Sequence, residues 1–427
     1  MTNMAFRRQC VHSAKLSPVN YPLKKAAAFI YCSYFQTARP NWSPNSPVYP
    51  SRKTVFSQAV IPTLNAIDPQ LYPAQLDAKQ ARFNKTLEGL RYPEIEVFDS
   101  APSQFRMRAE FRIWHEDGRA HYAMNRAGEK RPYIIDSFPI GGPLINKLMT
   151  PLIDAINAQP ILSRRLFSAE FLTTLSGEVL VTLIYHRPVD EEWEVAARQL
   201  QTDLKIMVIG RSRKQKVVLE RDFVMEKLTV DGREYHYQQV ESGFTQPNAE
   251  VNQKMLSWAS SCCAGTGSND QDLLELYCGN GNFTAVLAQH FKSVLATEIS
   301  KISVRSAQTN FAHNSVDNVS VVRMSSEEFT QALNGERPFR RLKEIDLDSY
   351  NFSTIFVDPP RAGLDDGTLA LAQRFDRILY VSCNPQTLRD NLDSLTETHD
   401  IVRTAIFDQF PWTDHLESGV LLIRRDS

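Results

Sequence analysis

Cysteine is scarce in this chain: six residues among 427, at positions 10, 32, 262, 263, 278 and 383. No two are spaced as Cys-x-x-Cys, and none falls between Cys32 and Cys262. The pattern argues against a disulfide framework, a zinc site or an iron–sulfur cluster, so no metal is expected and a reducing, cytoplasmic setting fits. No apolar run reaches the roughly 18 residues of a membrane-spanning helix, which removes a membrane partner. Acidic residues are missing from the first 67 positions, which hold eight Lys or Arg. The remainder has 48 − 8 = 40 basic against 49 acidic residues, a net charge of −9. A nucleic-acid partner would therefore have to meet a local basic face rather than bulk charge.

The composition divides the chain into three parts. Residues 1–67 are rich in Ser, Pro, Asn and Tyr and show no sustained period, so they read as a basic, disordered extension; a targeting leader or an upstream start codon are the other readings. Residues 68–240 read as an α+β domain with antiparallel strands. A helix is expected over 70–91. Phe105–Trp114 alternates, with Phe105, Met107, Ala109, Phe111 and Ile113 on one face and Arg106, Arg108, Glu110, Arg112 and Trp114 on the other. A charged strand face is often only solvated. Three arginines with a tryptophan also suit phosphate forks and base stacking, as an RNA-facing sheet requires. A Gly-containing turn is expected at 126–130, and Ser176-Gly177 reads as a hairpin turn.

From 241 to 427 strands and helices alternate, following a polar turn at Phe244–Asn248 and a connection at 265–269. That order predicts a doubly wound, mostly parallel, Rossmann-like sheet, giving an α/β fold class. Its first strand closes in Leu276-Tyr277-Cys278-Gly279-Asn280-Gly281-Asn282-Phe283, ahead of a helix expected over 282–290. The glycines permit a tight turn that a ligand can approach. The next strand ends in Glu298, 19 residues after Gly279, where a carboxylate can accept from both ribose hydroxyls. The third glycine of the dinucleotide fingerprint is missing, which favours S-adenosylmethionine over a nicotinamide cofactor.

Three further features converge on the same sheet edge. Asp358-Pro359-Pro360-Arg361 ends one strand in a stiff loop carrying a carboxylate and a guanidinium. Ile378–Ser382 reads as a buried strand that ends at Cys383. A lone cysteine there is commonly structural; its convergence with the donor loop makes it a candidate nucleophile. Glu417, just before the terminal strand, is a candidate base.

The segments RMRAEFRIWHED, LFSAEFLTTLSGE, FTQPN, LLELYCGNGNF, TIFVDPPRAGL, ILYVSCNPQTL and FDQFPWTDHLESGVLL resemble the RNA uracil-C5 methyltransferase family, from about Ile67 to the C-terminus. The resemblance implies Cys383 as nucleophile and Glu417 as base. It implies S-adenosylmethionine contacts from Gln246, Tyr277, Asn282, Glu298 and Asp358. It places Arg112, Phe167 and Arg361 against RNA, beside Arg106 from the arginine face. It further implies, as substrate, the T-loop uridine (position 54) in the T-arm of tRNA, with tmRNA as a second RNA; the protein is expected to be a monomer. Ser418 and Asp414 depart from residues usual in the family, namely cysteine and histidine. The ribosomal-RNA relatives usually carry a cysteine-rich cluster motif that is missing here, so methylation of 23S rRNA is the secondary expectation. An RNA-folding factor is the expectation from a different class.

Overall fold

The computed structural model describes residues 67–125, 131–264 and 270–426. The basic extension up to residue 66, the turn expected at 126–130 and the connection expected at 265–269 lie outside the described residues.

In chain order the first half contains α1 (Tyr72–Thr86), β1 (Ile95–Phe98), β2 (Arg108–Glu116), β3 (Arg119–Met124), β4 (Tyr133–Ile134), α2 (Pro143–Ala158), α3 (Pro160–Ser163), β5 (Leu166–Thr173), β6 (Val179–Tyr185), α4 (Glu191–Leu204), β7 (Met207–Ser212), β8 (Gln215–Val218), β9 (Phe223–Val230) and β10 (Arg233–Val240). The second half contains α5 (Ala249–Cys263), β11 (Asp272–Leu276), α6 (Thr284–Leu287), β12 (Val294–Thr297), α7 (Lys301–His313), β13 (Val319–Val322), α8 (Ser326–Leu333), β14 (Phe352–Val357), α9 (Asp366–Ala372), β15 (Arg377–Ser382), α10 (Pro385–Leu395), β16 (His399–Phe407) and β17 (Glu417–Arg424).

Two mixed sheets organise these elements. The larger has eight strands in the order β1-β16-β17-β15-β14-β11-β12-β13. All of its pairings are parallel except those of β17, which runs antiparallel to both β15 and β16. Its central strands β11, β12, β14 and β15 are almost wholly buried, as layers on both faces demand. Leu379 and Val381 of β15 join a core with Met255 and Trp258 of α5, whereas Ile378 and Tyr380 join a core with Phe83 of α1, Leu371 of α9 and Leu388 of α10. Each large side chain buried in this way contributes roughly 1.5–3 kcal/mol. The smaller sheet has seven strands in the order β4-β3-β2-β5-β6-β7-β8, antiparallel except for the β6–β7 crossover through α4. β9 and β10 form a separate hairpin that contacts α5 and α7.

The sheets do not divide the chain at a single point. β1 pairs with β16, and α1 packs against the larger sheet, so residues 72–98 lie with the second half although they precede the smaller sheet. The helix expected over 282–290 is only α6 and a 3-10 turn at Ala288–His290, because Gly281 (φ 77°) keeps the chain turning. Glu417, expected ahead of the last strand, is its first residue.

Candidate active site

Strand order in the larger sheet reverses between β11 and β14, the position where open α/β sheets form a ligand crevice. Tyr277 and Gly279 leave β11 there with positive φ angles of 63° and 57°. A Cβ added at Gly279 would meet nothing within 4 Å, so the space above the turn is open to a ligand. A Cβ at Gly281 would strike Phe311 at 2.6 Å, so this glycine is required by packing below the turn. Glu298 at the end of β12 accepts from Gly279 N at 3.1 Å and from Ser300 N at 2.6 Å. The two bonds fix the carboxylate at the crevice and leave it further lone pairs.

Two neighbours of this loop were not apparent in the sequence. Asn282 and Asn252 of α5 exchange amide hydrogen bonds at 2.9 and 3.0 Å. Tyr277 OH donates to Ser326 Oγ at 2.7 Å. Gln246 is half-buried in the segment leading into α5, whose cap Asn248 accepts from Val251 N at 3.2 Å. The residues thus supply a glycine turn, a ribose-type carboxylate and fixed amides, which fits an adenosyl group.

The reacting groups expected from the sequence come together on the neighbouring strands. Asp358 follows β14, Cys383 follows β15 and Glu417 begins β17. Because β17 is antiparallel, its first residue lies at the edge where its parallel neighbours end. The register pairs Ser382 with Ser418, so Cys383 and Glu417 each lie one residue past that pair at the same edge, close enough for the Glu417 charge to act on the Cys383 thiol. Ser418 Oγ donates to Ser382 O at 3.1 Å and reinforces that rung.

Burial pushes the Cys383 thiol up to about 12; Glu417 and Asp358 push the same way and Arg361 opposes them. Burial, followed by the Asp358 charge, pushes Glu417 up to about 8, again against Arg361. Burial alone raises Asp358 to about 7. Burial therefore favours the protonated form of both carboxyl groups near neutral pH, where they would be ionised in water. The loop carrying Arg361 is tied to that of Cys383, since Arg361 O accepts from Asn384 Nδ2 at 2.9 Å and Thr387 Oγ1 at 3.2 Å. Gly363 (φ 76°) allows this approach, because a Cβ there would meet Asn391 Oδ1 at 2.8 Å.

The arginine face of the smaller sheet is less open than its sequence suggests. Arg106 Nε donates to Arg108 O at 2.8 Å, and Arg108 donates to Gly243 O at 3.0 Å and Glu241 O at 2.6 Å. Arg112 is exposed and lies over the Phe167 ring at 5.5 Å, while Phe167 stacks on His186 at 4.2 Å. Arg112, Phe167 and His186 thus form a short cation–aromatic stack on β2, β5 and the residue after β6. His186 had no signal in the sequence, because β5–β6 pairing alone brings it beside Phe167.

Fold and site together define an α/β methyltransferase. Residues 71–425 match the family described as tRNA (Uracil-5-)-methyltransferase. The tRNA/tmRNA (uracil-C(5))-methyltransferase of Cellvibrio japonicus (strain Ueda107) is 59% identical over 354 residues, covering 83% of this chain and 96% of that protein. The protein of the same name from Pseudomonas putida (strain W619) is 57% identical over 361 residues, covering 84% and 99%. The crystal structure of Pyrococcus abyssi tRNA (uracil-54, C5)-methyltransferase in complex with S-adenosyl-L-homocysteine shares the fold, with a TM-score of 0.63 at 22% identity over 82% of this chain and 83% of that one. The chain belongs to the tRNA (uracil-5-)-methyltransferase family.

Proposed function

We propose that the protein transfers the methyl group of S-adenosylmethionine to C5 of uridine 54 in the T-loop of tRNA, and of the matching uridine in tmRNA, with Cys383 as nucleophile and Glu417 as base. The observation that carries this reading is the meeting of Cys383 and Glu417, each one residue past the Ser382–Ser418 pair, with Asp358 and Arg361 acting on both, next to the donor crevice. The relatives' names supply the RNA: tRNA and tmRNA, and uracil 54 in the archaeal protein.

Uracil C5 is a weak nucleophile toward a sulfonium methyl. Addition of the Cys383 thiolate to C6 makes the ring an enolate with its electron density at C5. C5 then takes the methyl group, and S-adenosylhomocysteine is the co-product. Glu417 removes the remaining C5 proton, the C5–C6 double bond reforms and the thiolate departs. A thiolate suits both addition and departure. A carboxylate raised to about 8 suits proton acceptance near neutral pH. Arg361 opposes the rise in both groups, so it favours their ionised forms.

On the donor side we assign Glu298 to the ribose and Gln246, Tyr277, Asn282 and Asp358 to the remaining donor contacts. The target base must leave its stack to reach Cys383, which costs less in a loop than in a duplex. The Arg112–Phe167–His186 stack would hold the displaced loop bases and phosphates, which makes the smaller sheet the RNA-binding part of the protein. Arg361 would hold RNA at the sheet edge, and Arg106 would shape the RNA face through its backbone anchor. Mass spectrometry of nucleosides from tRNA incubated with the protein and S-adenosylmethionine tests the assignment. 5-Methyluridine at the T-loop is the expected product; methylation confined to rRNA transcripts, or to another base, would overturn it.

A further inference from the structure

A buried ion pair lies at the root of the loop that delivers Glu417, and the chemistry above does not use it. Lys79 Nζ is 2.5 Å from Asp408 Oδ1, with the two side chains 2% and 0% exposed. Asp408 Oδ2 also accepts from Tyr72 OH at 2.9 Å and from Gln75 Nε2 at 2.7 Å. These donors stand at i, i+3 and i+7 on one face of α1. Lys79 Nζ donates again to Phe410 O at 2.8 Å, a carbonyl that also accepts from Thr413 Oγ1 at 2.8 Å. Gln75 Oε1 accepts from Trp412 N at 3.3 Å. α1 therefore grips the loop 408–416 at three successive points.

Asp408 is the entrance of that loop and Glu417 its exit, since Phe407 pairs with Glu417 across β16 and β17. The contact also closes a ring. Tyr72 OH accepts from Ser100 N at 2.7 Å, Ser100 Oγ accepts from Asn248 Nδ2 at 2.7 Å, and Asn248 N donates to Gln409 Oε1 at 3.0 Å. Asn248 caps α5 two residues after Gln246, so the ring joins the base loop to the donor segment. An apolar pair of similar volume would hold a loop against a helix at least as well as a buried ion pair does. What the carboxylate adds is direction: two oxygens fixed by three donors admit one orientation of the loop root.

We propose that Asp408, fixed by Lys79, Tyr72 and Gln75, is a positioning residue that sets Glu417 opposite Cys383 and holds the base loop in register with the donor segment. The proposal rests on the assignment of Glu417 as base. It concerns one step: the C5–H bond breaks, the proton passes to the Glu417 carboxylate, the electron pair forms the C5–C6 double bond, and the Cys383 sulfur leaves C6 with the C–S pair.

The test is a rapid-quench single turnover of the full chain with tRNA and methyl-labelled S-adenosylmethionine. It follows methyl incorporation and, separately, the lifetime of the protein–RNA adduct that survives denaturant. Asp408→Asn should keep methyl incorporation within about threefold of the unmutated protein. The same variant should lengthen the adduct lifetime about tenfold or more, given that a ~1 Å misplacement costs on the order of a hundredfold. Where Asp408→Asn shows no cooperative melting, Gln75→Leu, which keeps the ion pair, decides by a severalfold longer lifetime. Equal slowing of both steps, or an unchanged adduct lifetime, overturns the positioning role. If the unmutated protein transfers no methyl to tRNA, the functional reading fails instead, so the two failures are distinct.

Discussion

Cys383 and Glu417 each lie one residue past the Ser382–Ser418 pair, where, among the described residues, the one antiparallel strand of the larger sheet enters its C-terminal edge. One strand ends as the other begins, so the β15–β17 ladder brings the groups to one edge, and the loop that leads into Glu417 is anchored at Asp408. A thiol to add at C6 and a carboxylate to take the C5 proton must act on opposite ends of one double bond.

Replacing Cys383 with Ala should abolish methyl transfer, by about a thousandfold or more, because addition of its sulfur at C6 is the step that activates C5. RNA binding should remain within about threefold, since phosphate and stacking contacts lie elsewhere. Filter binding and labelled-methyl incorporation check the two halves; residual turnover near the unmutated level would remove Cys383 as nucleophile.

Glu417→Gln keeps the shape but cannot accept a proton. Methyl transfer should proceed once and leave a protein–RNA adduct that survives denaturing electrophoresis. The variant should also change stability with pH. Glu417 titrates at about 8 when folded against an ordinary value of 4.5, so the folded state holds the proton more tightly. Its contribution is fully present below about pH 4.5 and is lost as pH rises through 8. Gln does not titrate, so the variant's Tm should gain on the unmutated protein between pH 5 and 9; a gap that stays constant over that range would contradict the assigned shift.

Turnover should rise with pH through the neutral range, because Glu417 (about 8) and Cys383 (about 12) both hold protons at pH 7. Arg361 opposes both shifts, so Arg361→Met should move the rising limb of kcat/KM to higher pH. A limb that moved lower would show that Arg361 does not act on these groups.

Glu298→Ala should weaken S-adenosylmethionine by roughly ten- to a hundredfold, the worth of one or two hydrogen bonds to a carboxylate, with kcat changed far less. Isothermal titration measures the first and saturating kinetics the second. Equal affinity would move the ribose elsewhere.

Phe167→Ala should weaken tRNA binding by about 1–3 kcal/mol, the range for one base on an aromatic platform. Arg112→Ala should flatten the salt dependence of binding. If both variants bind as the unmutated protein does, the stack is a solvated surface.

Much of the site was legible because motif and strand end coincide. Gly279, Glu298, Asp358 and Cys383 each follow an apolar run, and parallel strands bring such ends to one edge. Glu417 was legible as a candidate base just ahead of the last strand. Its partner depended on the register of an antiparallel pairing that local sequence does not encode. The same holds for α1, which reads as an ordinary first helix of the first domain. Its Lys79 meets Asp408 across a sequence separation of 329 residues. The arginine face was over-read, because alternation shows which side chains point outward but not that Arg108 is used up by Glu241 O and Gly243 O.

The most direct measurement is to incubate the protein with S-adenosylmethionine and tRNA carrying 5-fluorouridine at position 54, then digest the adduct and map it by mass spectrometry. Fluorine cannot leave as a proton does, so the intermediate should persist. One crosslinked peptide is expected, with methylated fluorouridine attached through Cys383. No stable adduct, or attachment through any other residue, would contradict it.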